Sequence, residues 1–127
     1  MLEQSPSPGK PLALVVDDEP FVRMNAVDVV EEAGFAVLEA SNADEAMHVL
    51  ESHADVGILV TDIDMPAGSM DGLGLAASVH DRWPSIKIII VSGRYQATLA
   101  EIPDGSVFLS KPYRPDVLVT QLIRFSA

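Results

Sequence analysis

The stretch Leu12-Ala13-Leu14-Val15-Val16-Asp17-Asp18-Glu19-Pro20 decides the fold. Its apolar residues run unbroken from Pro11 to Val16 rather than alternating with polar ones, the pattern of a strand covered on both faces. Two acids close the run. Pro20 then opens a helix, where a missing N–H costs nothing. That helix carries Val22, Ala26, Val29, Val30 and Ala33 on one apolar stripe, and Gly34 ends it. A buried strand feeding an amphipathic helix is one βα unit.

Working outward from this unit, the pattern recurs. Phe35 to Ala40 reads as a second strand. Ser41 or Asn42 caps the next helix, with Asp44 or Glu45 three residues on, and its stripe is Ala43, Ala46, Met47 and Leu50. Val56 to Thr61 forms a third buried strand that ends at Asp62. A loop from Met65 to Asp71 follows, and the next helix carries Leu73, Ala76, Ala77 and His80 before stopping ahead of Pro84. Ile86 to Val91, the most β-branched run, is expected as a central strand. A short helix over Tyr95 to Glu101, a fifth strand from Ser106 to Leu109, and a last helix from Pro115 with Val117, Leu118, Leu122 and Phe125 complete the order. Five strands alternating with five helices predict a doubly wound (βα)5 α/β fold with a parallel sheet. The common strand order for it is 2-1-3-4-5.

The 127 residues suit one domain, read as a polar tail over 1–10 and a folded unit over 11–127. Nineteen acids against eight bases, a net charge of -11, argue against a nucleic-acid backbone or an anionic membrane as partner. The absence of Cys removes disulfides, a thiolate nucleophile and zinc–thiolate chemistry. No signal-peptide h-region is visible, and no apolar run approaches the ~20 residues of a membrane span. The expectation is a soluble, cytoplasmic protein.

In doubly wound sheets, ligands bind beyond the carboxyl ends of the strands, where the strand order switches. Asp17 and Asp18 end the first strand, Asp62 the third and Ser92 the fourth, and Lys111 follows the fifth. With the first and third strands adjacent, three carboxylates converge. They stay ionised together only beside a cation, and an oxygen-only set suits Mg²⁺ or Mn²⁺. A carboxylate beside a hard cation can attack a phosphoryl group and form an aspartyl phosphate. Lys111 and Ser92 would supply further contacts to the phosphoryl oxygens.

Val15-Val16-Asp17-Asp18-Glu19-Pro20, Thr61-Asp62-Ile63-Asp64-Met65-Pro66, Met70-Asp71-Gly72, Val91-Ser92-Gly93 and Lys111-Pro112-Tyr113 together resemble the receiver domain of bacterial two-component response regulators. The resemblance extends over roughly residues 11 to 125. It implies a flavodoxin-like sheet ordered 2-1-3-4-5 and a single-domain, chemotaxis-receiver-like role. By position, Asp62 would be the phosphoacceptor and Asp18 the direct metal ligand. Asp17 would hold the metal through water, and the backbone carbonyl of Asp64 would complete the protein ligands. Ser92 and Lys111 match the family's hydroxyl and lysine, and Phe108 its switch aromatic. The implied partners are a histidine kinase or histidine phosphotransfer protein as donor and a downstream protein target. Output would pass by protein contact or phosphate relay, and a weak homodimer is compatible. Met1 and the end at Ala127 lead to the expectation of a complete chain with no output domain, the alternative being a fragment of a hybrid kinase.

The chain also departs from the family. Ala67, Gly68 and Ser69 lengthen the loop beside Asp62. The fourth helix looks short, since Pro103 and Gly105 closely follow it. Phe108 lacks the frequent Tyr hydroxyl, a role for which Tyr95 is a candidate. Asp64 and Arg94, two residues past Asp62 and Ser92, are either an exposed ion pair of little worth or tuners of phosphoryl lifetime.

Plainer readings accompany each motif. Asp17-Asp18 can be a helix cap, Lys111-Pro112 a loop and Ser92-Gly93 a turn. His48, His53 and His80 share no ligand spacing and read as surface residues. Trp83 packs at a helix end, and Met24, Met47, Met65 and Met70 are packing residues. An enzymatic alternative takes Asp62 and Asp64 as nucleophile and acid of a haloacid-dehalogenase-like phosphatase, but leaves Asp17-Asp18 unexplained. A third possibility is a binding module independent of phosphorylation, which the intact acid, hydroxyl and lysine set argues against.

Overall fold

The computed structural model describes residues 10–65, 70–93 and 102–126. Its elements are β1 (Leu12–Val16), α1 (Pro20–Glu32), β2 (Ala36–Ala40), α2 (Ala43–Ser52), β3 (Val56–Asp62), α3 (Gly72–Arg82), β4 (Lys87–Ser92), β5 (Val107–Ser110) and α4 (Pro115–Ser126). All strand pairs are parallel, in the order β2-β1-β3-β4-β5. Four helices lie among the described residues. The helix expected over Tyr95 to Glu101, the residues Ala67 to Ser69, Arg94 and the tail before Lys10 fall outside them.

Alternation along the buried strands divides the core in two. Leu12, Leu14, Val16, Leu59, Ile88 and Ile90 join one cluster with residues of α2 and α3. Ala13, Val15, Ile58, Val60, Ile89 and Val91 join the other with residues of α1 and α4. Leu14, Leu59, Ile89 and Ile90 are fully buried. At about 1.5–3 kcal/mol each, such side chains hold the layers together.

Local signals set the helix ends. Glu19, not singled out by sequence, is the N-cap of α1 and accepts from the Phe21 amide at 2.8 Å. Gly34, with φ of 101°, takes the left-handed turn that lets the chain leave α1. At α2, Asn42 is the cap and accepts from Glu45 N at 2.8 Å, while Glu45 accepts from Ser41 N at 2.6 Å and Ser41 Oγ at 2.9 Å. These donors hold the Glu45 carboxyl below its ordinary pKa. Asp71 caps α3 by accepting from Gly74 N at 2.9 Å.

Two expected stripes are corrected. In α3 the buried positions are Gly72, Leu75, Ala76 and Val79, whereas Ala77 and His80 are exposed and Leu73 only half-buried. The buried set is a clean i, i+3, i+4, i+7 stripe, and Gly72 sets its phase by lying against β3. In α4 Leu118 and Leu122 are buried, but Val117 is exposed. Strand limits moved by one residue: Phe35 is buried but precedes β2, and β4 and β5 begin and end one residue later than expected. The three histidines are exposed, and Trp83 packs beside the α2/α3-side cluster with the Arg82 guanidinium 4.4 Å from its ring centroid. Among the described residues, no helix is long and apolar enough to cross a membrane.

Candidate functional site

β1 and β3 are neighbours in the sheet, with Val16 beside Thr61, so Asp17 and Asp62 emerge side by side at the carboxyl ends. One oxygen each from Asp17, Asp18 and Asp62 lies within 4.8 Å of the others. Asp17 and Asp62 are buried, and Asp18 is the accessible member of the three. Lys111 enters from the end of β5. Its Nζ lies 3.2 Å from Asp17 Oδ2 and 3.4 Å from Asp62 Oδ1. Asp17 Oδ1 accepts from the Glu19 amide at 3.0 Å, so both oxygens of this carboxylate are engaged.

The electrostatics favour a cation. Burial raises the Asp62 pKa, Lys111 opposes that rise, and Asp17 and Asp64 reinforce it. At Lys111 burial pulls the pKa down, but the attraction of Asp17 and Asp62 wins and the net shift is upward. Lys111 therefore stays an ammonium. Three carboxylates and one ammonium leave two negative charges uncompensated, the charge of one divalent ion. The donors are all hard oxygens, which suits Mg²⁺ or Mn²⁺ better than thiophilic metals. The donor set thus fits a divalent cation, and Asp17, Asp18 and Asp62 are the side chains that can hold it.

Ser92 is buried, and its hydroxyl donates to Asp64 Oδ2 at 3.0 Å. It stands on β4 opposite Ser110, two residues beyond the Ile90–Phe108 pair, so Ser92 and Phe108 share a sheet face. Phe108 is half-buried against the α2/α3-side cluster. Asp64, half-buried, is the central residue of a tight turn in which Ile63 O accepts from Met65 N, and the same oxygen accepts from Gly72 N, each at 3.0 Å. The structure thus brings Asp17, Asp18, Asp62 and Lys111 together, and links Ser92 to Asp64.

Three contributors escaped the sequence reading. Gly72 lies so close to β3 that a Cβ there would overlap the Asp62 carbonyl oxygen and sit 2.7 Å from its carbonyl carbon. The glycine was legible in Met70-Asp71-Gly72, but its reason was not. Arg23 donates from Nη1 to the Asp17 carbonyl at 2.8 Å. Its only local signal is a cation in the first turn of a helix, where the dipole disfavours one. Tyr113 lies beside Lys111, and burial raises its phenol pKa, opposed by Lys111.

Comparison with known proteins agrees with this fold. A family model described as response regulator receiver domain matches residues 13–123. The sensor kinase CckA of Brucella abortus is 35% identical over 116 residues, which cover 88% of this chain and 12% of that protein. The chemotaxis protein CheY1 of Helicobacter pylori is 33% identical over 115 residues, covering 86% of this chain and 91% of that one. The chain spans only 12% to 24% of the length of the first curated relatives it matches. Among solved structures, a response regulator receiver protein from Sinorhizobium medicae superposes with a TM-score of 0.81 at 28% identity, covering 94% of this chain and 96% of that one. The NtrX receiver domain of Brucella abortus also gives 0.81, at 26% identity and coverage of 89% and 96%.

Proposed function

The chain belongs to the response regulator receiver domain family, and from that premise we propose that Asp62 accepts a phosphoryl group from a phosphohistidine donor. Receiver domains are signalling phosphoacceptors rather than members of a catalytic family, and the reading follows that pattern. The observation that carries it is the meeting of three acid oxygens within 4.8 Å, two of those acids paired to Lys111.

Asp62 is the nucleophile in this reading because it is the acid that ends β3 and lies in contact with the Lys111 ammonium. Its oxygen forms a bond to phosphorus as the bond from phosphorus to the donor imidazole breaks. The electron pair returns to the imidazole nitrogen, which takes a proton. Asp18 and Asp62, with Asp17 through water, would hold Mg²⁺, and the carbonyl of Asp64 would complete the protein ligands. When bound, Mg²⁺ neutralises charge on the phosphoryl oxygens. Lys111 supplies a second positive charge and a hydrogen-bond donor at the same place. Burial of Asp17 and Asp62 keeps bulk water from weakening these contacts.

Phosphorylation adds about -1.5 to -2 of charge and three acceptor oxygens. Ser92 then leaves Asp64 to donate to the phosphoryl group, and Phe108, on the same sheet face, turns into the space behind it. The change reaches a protein target through the surface around β5 and α4, which also suits a weak homodimer or a relay partner. Asp64 and Arg94 are candidates for setting phosphoryl lifetime. The donor is a histidine kinase or histidine phosphotransfer protein; the exposed Phe21 and Met24 on α1, the helix that follows Asp18 in the chain, suit such a protein contact. The family match supports this reading over a haloacid-dehalogenase-like phosphatase built on Asp62 and Asp64.

The test is labelling by acetyl phosphate followed by intact-mass measurement. One phosphoryl group should add to the protein with Mg²⁺, none with EDTA, and none to Asp62→Asn. Labelling that survives Asp62→Asn would show another acceptor.

A further inference from the structure

We propose that Arg23 is a positioning residue for the acid cluster, setting the orientation of the Asp17–Asp18 peptide and with it the affinity for a divalent cation. The inference rests on the metal reading of Asp17, Asp18 and Asp62.

Arg23 lies in the first turn of α1, and its amide donates to Glu19 O at 2.9 Å. A cation here opposes the helix dipole, so its own helix does not stabilise it. Two outside acceptors hold it instead. Nε pairs with Glu39 Oε1 at 3.1 Å, and Nη1 donates to the Asp17 carbonyl at 2.8 Å. The side chain is 20% exposed while Glu39 is 51% exposed. A long cation mostly covered by protein, aimed at a backbone carbonyl, has given up its rotamer freedom for that contact.

The contact matters through what it completes. Asp17 N donates to Ala40 O at 3.2 Å, Oδ1 accepts from Glu19 N and Oδ2 pairs with Lys111. The carbonyl is the remaining polar group of that residue, and Arg23 holds it. A fixed Asp17 carbonyl fixes the plane of the next peptide. That plane sets where the Asp18 Cα, and so its accessible carboxylate, stands relative to Asp62. Arg23 touches no reacting atom and acts through Asp17 and Asp18. Glu39, at the partner strand β2, anchors the guanidinium from the other side.

Position and charge predict opposite signs. Deleting a nearby positive charge alone would tighten cation binding, whereas loss of positioning weakens it. Arg23→Met retains much of the aliphatic stem and removes every donor. By calorimetric titration of the full chain with MgCl₂, its Kd should rise about tenfold, the low end for loss of a group that orients metal ligands. Arg23→Lys can serve one of the two acceptors, so its Kd should fall between wild type and Arg23→Met. Acetyl phosphate labelling of both variants should recover to within about twofold of wild type at saturating Mg²⁺, because only ligand orientation is altered. A Kd at or below the wild-type value in Arg23→Met overturns the proposal. Should Arg23→Met lack the native far-UV spectrum, Arg23→Lys decides by the same criterion. If wild type itself shows no Mg²⁺ binding, the metal reading fails with it; if wild type binds and the variants match it, only the role of Arg23 fails.

Discussion

Two sets of opposite charges in this molecule have nearly the same spacing and very different surroundings. Arg114 and Asp116 meet at 3.0 Å with side chains 81% and 66% exposed. Lys111 meets Asp17 and Asp62 at 3.2 and 3.4 Å, with both carboxylates 7% exposed. The shorter contact is expected to be the weaker one. Water screens the surface pair and hydrates each partner when it separates. At the carboxyl end of the sheet the carboxylates have lost much of their water, and the Lys111 ammonium between them offsets the repulsion of two buried like charges. Distance does not rank these interactions; burial does.

Removing the buried cation should break the comparison most. Lys111→Met leaves Asp17 and Asp62 facing each other without a counter-charge. In EDTA its unfolding free energy should fall by about 3 kcal/mol, the low end for a buried pair broken on one side, because Lys111 keeps some exposure. The deficit should shrink as pH falls and Asp62 takes up a proton. Urea unfolding at several pH values measures both effects.

The next test removes charge from the other partner. Burial raises the folded pKa of Asp62, so the folded protein holds this proton more tightly than the unfolded chain. Stability from this group therefore falls as pH rises from the unfolded to the folded pKa, and the full penalty stands above it. Without metal, Asp62→Asn should be at least as stable as wild type at neutral pH, with the advantage vanishing at acidic pH. Adding Mg²⁺ should reverse the order. A cation at a hundredfold excess over its Kd stabilises wild type by about 2.7 kcal/mol, most of which Asp62→Asn should lose. Thermal melts with Mg²⁺ and with EDTA would show the crossing.

The smallest effect belongs to the surface. Arg114→Ala should change stability by no more than about 0.5 kcal/mol, read from the same urea curves. A larger loss would mean that exposure is the wrong criterion for ranking these pairs.

Much of the site was legible because strand ends are local features. Asp17, Asp18 and Asp62 each follow an apolar run, and Ser92 closes another, so their place at the carboxyl edge required no long-range knowledge. The stripe of α1 was legible for a similar reason, with Ala26 and Val30 buried. The stripe of α3 was not. Several small and apolar residues there allow more than one phase, and the close approach of Gly72 to Asp62, from another element, selects one.

Among the described residues, sequence alone determined which segments become strands, which become helices, and which acids lie at strand ends. Those follow from apolar periodicity, caps and turn residues, all of which act over a few positions. Tertiary structure alone decided which groups touch. Lys111 reaches Asp17 across 94 positions, Ser92 donates to Asp64 across 28, and Arg23 meets Glu39 across 16. Such pairs depend on the crossovers that lay β1 beside β3 and carry β5 to the edge of the sheet. The same packing removes water from Asp17 and Asp62 and sets them beside the accessible Asp18, in a cluster that could hold a cation.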